Sequence, residues 1–175
     1  MSGLPRSLTF PFLRADAVFS PCRKWRYLLK RRWTCERPWM AIVGLNPSTA
    51  DESTDDPTVR RCIGFARDLG YGGIQLVNLF AYRSTDPKPL KVLHKCEVVG
   101  PENDGWMEHA FLTSGVVVAA WGVHGSIHGR DTEVMLRWRD WKCFGRTKGG
   151  APRHPLYLPR STQLQPLAER EEGFN

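Results

Sequence analysis

Three hydrogen-bonding side chains lie at, within or after the expected strands. Asn46 follows Trp39-Met40-Ala41-Ile42-Val43-Gly44-Leu45, Asn78 lies within Val77-Asn78-Leu79-Phe80, and His154 precedes Pro155. A carboxamide carries both donor and acceptor, and open α/β sheets bind ligands beyond the carboxyl ends of their strands, so these groups suit ligand binding in a shared crevice. Gly44 and Pro47 would fix the turn that aims Asn46 there, although Asn-Pro is also an ordinary turn starter. The loop after Asn46 carries Asp51, Glu52, Asp55 and Asp56. Such carboxylates suit a bound cation or a catalytic base, while Asp55, Asp56 and Thr58 also stand where a helix would be capped.

The elements that must position these groups are legible in the apolar pattern. Met40 to Leu45 reads as a buried strand, and the polar loop from Pro47 to Pro57 is long enough to be functional. From Thr58, the positions Val59, Cys62, Ile63, Ala66 and Leu69 fall at helical spacing and stop at Gly70, predicting a helix to about Asp68. Further strands are expected over Ile74 to Phe80, Val116 to Trp121 and, more weakly, Trp141 to Phe144, with helices from Asn103 to about Leu112 and from Arg130 to Trp138. Continuous apolar strands alternating with helices predict an α/β fold of three layers, with a short, mainly parallel four-stranded sheet covered on both faces. Ala17 to Trp33 predicts an N-terminal β-hairpin around Ser20-Pro21, its second arm basic and aromatic. That hairpin would cover one sheet face or meet nucleic acid. Residues 1–13 and 168–175 are expected to be loose.

The 175 residues are enough for one domain with a real core. Against 18 acidic residues stand 25 basic ones, a net +7 concentrated in 23–32 and 142–160, which suits a polyanionic partner or simply aids solubility. The five cysteines show no Cys-x-x-Cys pair, so no disulfide framework or zinc spacing is indicated. No apolar h-region and no run near the ~18 residues of a membrane span is present, which, with free thiols suited to a reducing compartment, predicts a soluble, cytoplasmic protein without membrane contact; a monomer is expected.

Gly44-Leu45-Asn46-Pro47-Ser48 resembles the Gly-x-Asn-Pro-Gly motif of the mismatch-specific uracil and thymine DNA glycosylases, a branch of the uracil-DNA glycosylase superfamily. Val77 to Thr85 is similar to the middle block of that branch, Val116 to Gly122 to the strand before its last motif, and His154-Pro155 to its His-Pro-Ser motif. These blocks follow the family's order over residues 39 to 160. Closer still, Gly44 to Ser48, Asp55 to Cys62 and His154 to Leu158 look like a bacterial and phage family catalogued as a domain of unknown function.

The resemblance implies a cofactor-independent, monofunctional DNA glycosylase that hydrolyses the N-glycosidic bond of a damaged, mismatched or modified base flipped out of DNA, in base-excision repair or phage-related DNA processing. It implies that Asn46 orients the attacking water, that His154 donates to the departing base, and that Asn78 reads the base edge. Ser48, Thr49, Arg153, Arg160 and Ser161 would contact phosphates, and Leu156, Tyr157 and Leu158 would supply a wedge. Ser48 stands where the relatives have Gly, and their stacking aromatic has no match between Asp56 and Arg61, so Phe65 or Phe80 is the substitute. Asp51, Asp55 and Asp56 would repel DNA unless they hold a metal or act as base. Two alternatives remain: a nucleotide- or base-modifying enzyme on the same fold, and a non-catalytic nucleic-acid-binding module.

Overall fold

The sheet is built outward from the most apolar segment of the chain. The computed structural model describes residues 12–167, so the expectations for residues 1–11 and 168–175 lie outside the described residues. Strand β3 (Trp39–Gly44) is flanked on both sides by parallel neighbours, β4 (Gly73–Asn78) and β5 (Val116–Ala119), and β6 (Trp141–Cys143) pairs parallel with β5. Buried on both faces, such strands need side chains that are apolar in both directions, which is why they read as unbroken runs.

The expected four-stranded sheet is the parallel centre of a larger one. Among the described residues the sheet has seven strands, in the order β1 (Arg14–Phe19), β2 (Arg26–Arg32), β4, β3, β5, β6 and β7 (Gln165–Pro166). The hairpin forms, from β1 (Arg14–Phe19) and β2 (Arg26–Arg32), but it does not lie over a face. Its second arm pairs antiparallel with β4, through Leu29 opposite Leu76 and Arg31 opposite Ile74, and so removes that sheet edge. A short β7 (Gln165–Pro166) pairs antiparallel with β6 at the other side.

Alternation within each strand divides the core in two. Met40, Ile42, Ile74 and Leu76 pack with Val59, Cys62 and Phe65 of helix α1 (Pro57–Asp68). Ala41, Val43 and Val77 face the other way, toward Met107, Ala110 and Phe111 of α4 (Asn103–Leu112), along with α2 (Lys88–Val92), α3 (Lys95–Val99) and α5 (Arg130–Met135). Each fully buried Val, Ile or Phe contributes roughly 1.5–3 kcal/mol, so the two faces fix which side each crossover takes. The α/β class and the three long helices follow the sequence expectation, with the last helix ending three residues early. Helices α2 and α3 were not expected; at five residues each they are too short to show a period. Among the described residues no helix is long and apolar enough to cross a membrane.

Candidate active site

The chain leaves β3 through α1 on one face to reach β4, then crosses by α2 to α4 on the opposite face to reach β5. Neighbouring connections therefore part at the end of β3, and a crevice opens at that switch point. A cavity of about 380 Å³ occupies it, within the range of roughly 300–1,000 Å³ typical of small-molecule sites. Asn46, Asn78 and His154, far apart in sequence, all line this one cavity. Gly44 packs closely there: a Cβ at that position would come within 2.7 Å of Asn78 Oδ1 and displace that carboxamide.

Each of the three side chains is held with a defined polarity. Asn46 Nδ2 donates to the carbonyls of Ser84 at 2.8 Å, Pro47 at 3.2 Å and Tyr82 at 3.5 Å. Three acceptors around one atom identify it as the amide nitrogen, which leaves Oδ1 as the group that Asn46 can offer a ligand or water. His154 Nδ1 accepts the backbone N–H of Leu156 at 3.3 Å, so a neutral ring carries its proton on Nε2. Burial pushes the His154 pKa below the ordinary 6.5, against a smaller upward pull from Asp56, which favours that neutral form. Asn78 is 3% exposed, and its Nδ2 has no hydrogen-bond partner.

Several lining residues escaped the sequence reading, Arg26, Trp121 and His124 among them. Arg26, the first residue of β2, reaches the cavity although it is 2% exposed. It stood in a basic hairpin arm that signals surface, and only the pairing of β2 with β4 carries it inside. Trp121 and His124, at and beyond the end of β5, line the wall as well. The Ala-Trp-Gly ending of that strand was the available signal for Trp121, while His124 lies in a 3-10 segment, Gly122–Gly129, without periodicity. Cys62 also lines the cavity, but burial pushes its thiol up to about 12, so it is no thiolate nucleophile at neutral pH.

Residues 26–156 match a family described as a protein of unknown function (DUF1643). The chain belongs to that family. No curated protein and no solved structure matches it. The DUF1643 span contains every residue that lines the cavity, from Arg26 to Pro155.

Other expected site residues divide. Ser48 lines the cavity and, with Thr49, an adjoining depression of about 510 Å³ whose cations are Arg23, Lys24 and Arg83. The expected base-stacking aromatics do not reach the site. Phe65 is core, stacked on Phe144 at 4.5 Å, and Phe80 is fully buried in the opposite cluster; helical and strand register turn both rings inward. Arg160 is held by Asp68 in a two-pronged ion pair at the carboxyl end of α1, and neither it nor the exposed Ser161 lines the cavity. Arg153 is exposed and donates to the Arg146 carbonyl, also away from the cavity wall. Of the wedge candidates, Leu158 is 7% exposed in the core with its carbonyl taken by Arg61, Leu156 is half-buried, and Tyr157 stands 85% exposed beside His154.

The acidic loop does not gather into a metal site. Asp51 closes a local turn onto the N–H groups of Ser53 and Thr54, and Asp55 pairs with buried Arg31 at 2.8 Å. Glu52 pairs with Arg23, which holds its carboxyl down at about 2. Asp56 caps α1 by accepting Val59 N–H at 2.8 Å, and it is the one member of the loop's four carboxylates that lines the cavity. Among the described residues no group of three or more His, Cys, Asp or Glu side chains is placed to share a metal ion. The loop is instead tied to the hairpin: Arg26 donates to Ala50 O, and Arg31 to Asp51 O. Two of its four carboxylates, Glu52 and Asp55, are matched by the hairpin's arginines, whereas Asp51 and Asp56 accept backbone N–H groups.

Proposed function

We propose that this protein is a DNA-base glycosylase that hydrolyses the N-glycosidic bond of a damaged, mismatched or modified base extruded into the cavity. The observation that carries the reading is the meeting of Asn46, Asn78 and His154 in one cavity at the switch point of the sheet. Cleaving this bond builds positive charge on the sugar and negative charge on the base, so a site needs a placed water and a donor to the leaving group. Asn46 Oδ1 accepts a hydrogen bond from the water and orients it. A neutral carboxamide is a poor base, so the proton passes to Asp56, which lines the same cavity. As the C1′–N bond breaks, its electron pair leaves with the base, and the Nε2–H of His154 donates to the anion that forms. The base anion takes up, through solvent, the proton held by Asp56, so the products are a free base and an abasic sugar.

On this reading the layered sheet is a uracil-DNA glycosylase-like scaffold, the molecule acts as a monomer without cofactor, and its compartment is the cytoplasm. The strand's phosphates track the depression of Arg23, Lys24 and Arg83, with Ser48 and Thr49 as neutral donors, and Tyr157 fills the vacated stack. Trp121 takes the stacking place first assigned to Phe65 or Phe80.

The test is incubation with single- and double-stranded oligonucleotides bearing uracil, hydroxymethyluracil, hypoxanthine or glucosylated bases, followed by detection of abasic sites. His154→Ala should slow the reaction by roughly 10²–10³, the loss typical of one preorganised donor. A panel without a single abasic product would overturn the proposal. A non-catalytic DNA-binding module would give that result while keeping salt-dependent affinity in Asn46→Ala and His154→Ala.

A further inference from the structure

Among the described residues three arginines are almost wholly buried, and two of them are spoken for. Arg31 binds Asp55 through Nε and the carbonyls of Asp51 and Lys30 through its other nitrogens. Arg130 binds Leu79 O, Asp104 and Glu133. Arg26 differs. Its Nη1 donates to Ala50 O, its Nε has no partner, and among the described residues no carboxylate pairs with it. It is also the one of the three that lines the cavity. A buried donor left unmatched is costly, so an unpartnered one on a residue that lines a cavity is explained by a ligand that completes it.

The cavity's lining therefore carries three donors for a ligand, Arg26 Nε and Asn78 Nδ2 without partners and His154 with its proton on Nε2, beside the acceptors Asn46 Oδ1 and Asp56. Its charge is nonetheless balanced, because Arg26 and Asp56 both line it. A neutral ligand rich in acceptors fits that inventory better than a phosphate, for which the depression of Arg23, Lys24 and Arg83 is the richer site. A guanidinium edge presents two parallel N–H groups and matches two adjacent acceptors. Among nucleobases the 6-oxopurines place O6 beside N7 with no donor between them, and their N3 remains for a third donor. Adenine sets an amino group beside N7, opposing donor to donor. Cytosine uses both of its adjacent acceptors on such a fork and leaves His154 without one.

We infer that the cavity selects a 6-oxopurine base, with Arg26 reading its O6/N7 edge; the inference rests on the nucleobase reading of this cavity. Burial pulls the Arg26 guanidinium down to about 10, as expected of a cation without a paired anion, and it stays charged at neutral pH.

The experiment is calorimetric titration of the full chain with four free bases: hypoxanthine, 7-deazahypoxanthine, adenine and uracil. Hypoxanthine should bind tightest, and 7-deazahypoxanthine, in which C–H replaces the N7 acceptor, about tenfold weaker or more, the usual worth of a bidentate base contact. Adenine and uracil should fall with the deaza analogue, and Arg26→Met should bring hypoxanthine down to their level. The deaza comparison uses the unaltered protein, so it stands even where the variant fails to fold. Equal affinity for hypoxanthine and 7-deazahypoxanthine, tightest binding of uracil, or no binding of any base overturns the inference. Discrimination among bases without abasic product from any oligonucleotide would instead refute hydrolysis and leave the base preference standing.

Discussion

His154 shows how one backbone contact sets the chemistry of a side chain. The Leu156 N–H occupies Nδ1, so the proton sits on Nε2 and the ring enters the cavity as a neutral donor. The same burial has a consequence for stability. The folded pKa lies below the ordinary 6.5, so the unfolded chain binds the proton more tightly than the native one. Stability is therefore unaffected by His154 well above pH 6.5 and falls as the pH drops from there through the lower folded value. Thermal melts of the wild type and His154→Asn should be parallel from pH 8 to 7 and diverge below 6.5, the wild type losing stability faster. Asn is a suitable replacement because its side-chain oxygen can still accept the Leu156 N–H. Identical acid sensitivity in the two proteins would contradict the assignment of a neutral, desolvated ring.

At the scale of elements, the start of α1 serves two ends. Asp56 caps the helix through Val59 N–H, with Pro57 in the first turn, and also lines the cavity. The two roles separate by substitution, because Asn caps about as well as Asp whereas Ala does not. Asp56→Asn should leave stability within a few tenths of a kcal/mol, while Asp56→Ala costs about 1 kcal/mol in chemical denaturation. If Asp56 takes the proton from water, both variants lose most of the glycosylase turnover. Full activity in Asp56→Asn would restrict the residue to capping. Strand β2 works similarly across elements: its Arg26 and Arg31 anchor the polar loop after Asn46, so the hairpin sets the shape of the site's rim.

Across the whole molecule, charge and cavity form one surface. The depression of Arg23, Lys24 and Arg83 shares Ser48, Ser84 and Thr85 with the cavity, so a polyanion bound in one would present its contents to the other. Arg23 and Lys24 have carboxylate partners in Glu52 and Glu97, whereas Arg83 donates to the Arg23 carbonyl and lies over the Phe19 ring. Arg83 is thus the cation of this set with most to gain from a phosphate. Arg83→Ala should weaken oligonucleotide binding to a similar degree for every sequence and reduce the slope of log affinity against log salt by about 1. An unchanged slope, measured by fluorescence anisotropy between low and moderate salt, would place the phosphate track elsewhere.

Local pattern by itself determined the α/β class, the three longer helices and the four parallel strands, because a strand buried on both faces needs an unbroken apolar run and α1 needs a stripe at 3.6-residue spacing. It also marked Asn46 and Asn78, since a polar residue at the end of or inside such a run is conspicuous, and His154 through its place after the last expected strand and its His-Pro motif. What the sequence did not carry is pairing across distance. Whether a basic hairpin arm covers a face or extends the sheet depends on which strand edge stays open, and only the assembled sheet places Arg26 inside. Phe65 and Phe80 were the aromatics expected to stack on a base, because residue type is the same whichever side a ring turns to, and both turn into the core. The four carboxylates after Asn46 looked like one cluster, since neighbours in sequence share a charge but not a direction. The folded loop sends Asp51 to its own backbone, Glu52 and Asp55 to arginines, and Asp56 alone to the cavity.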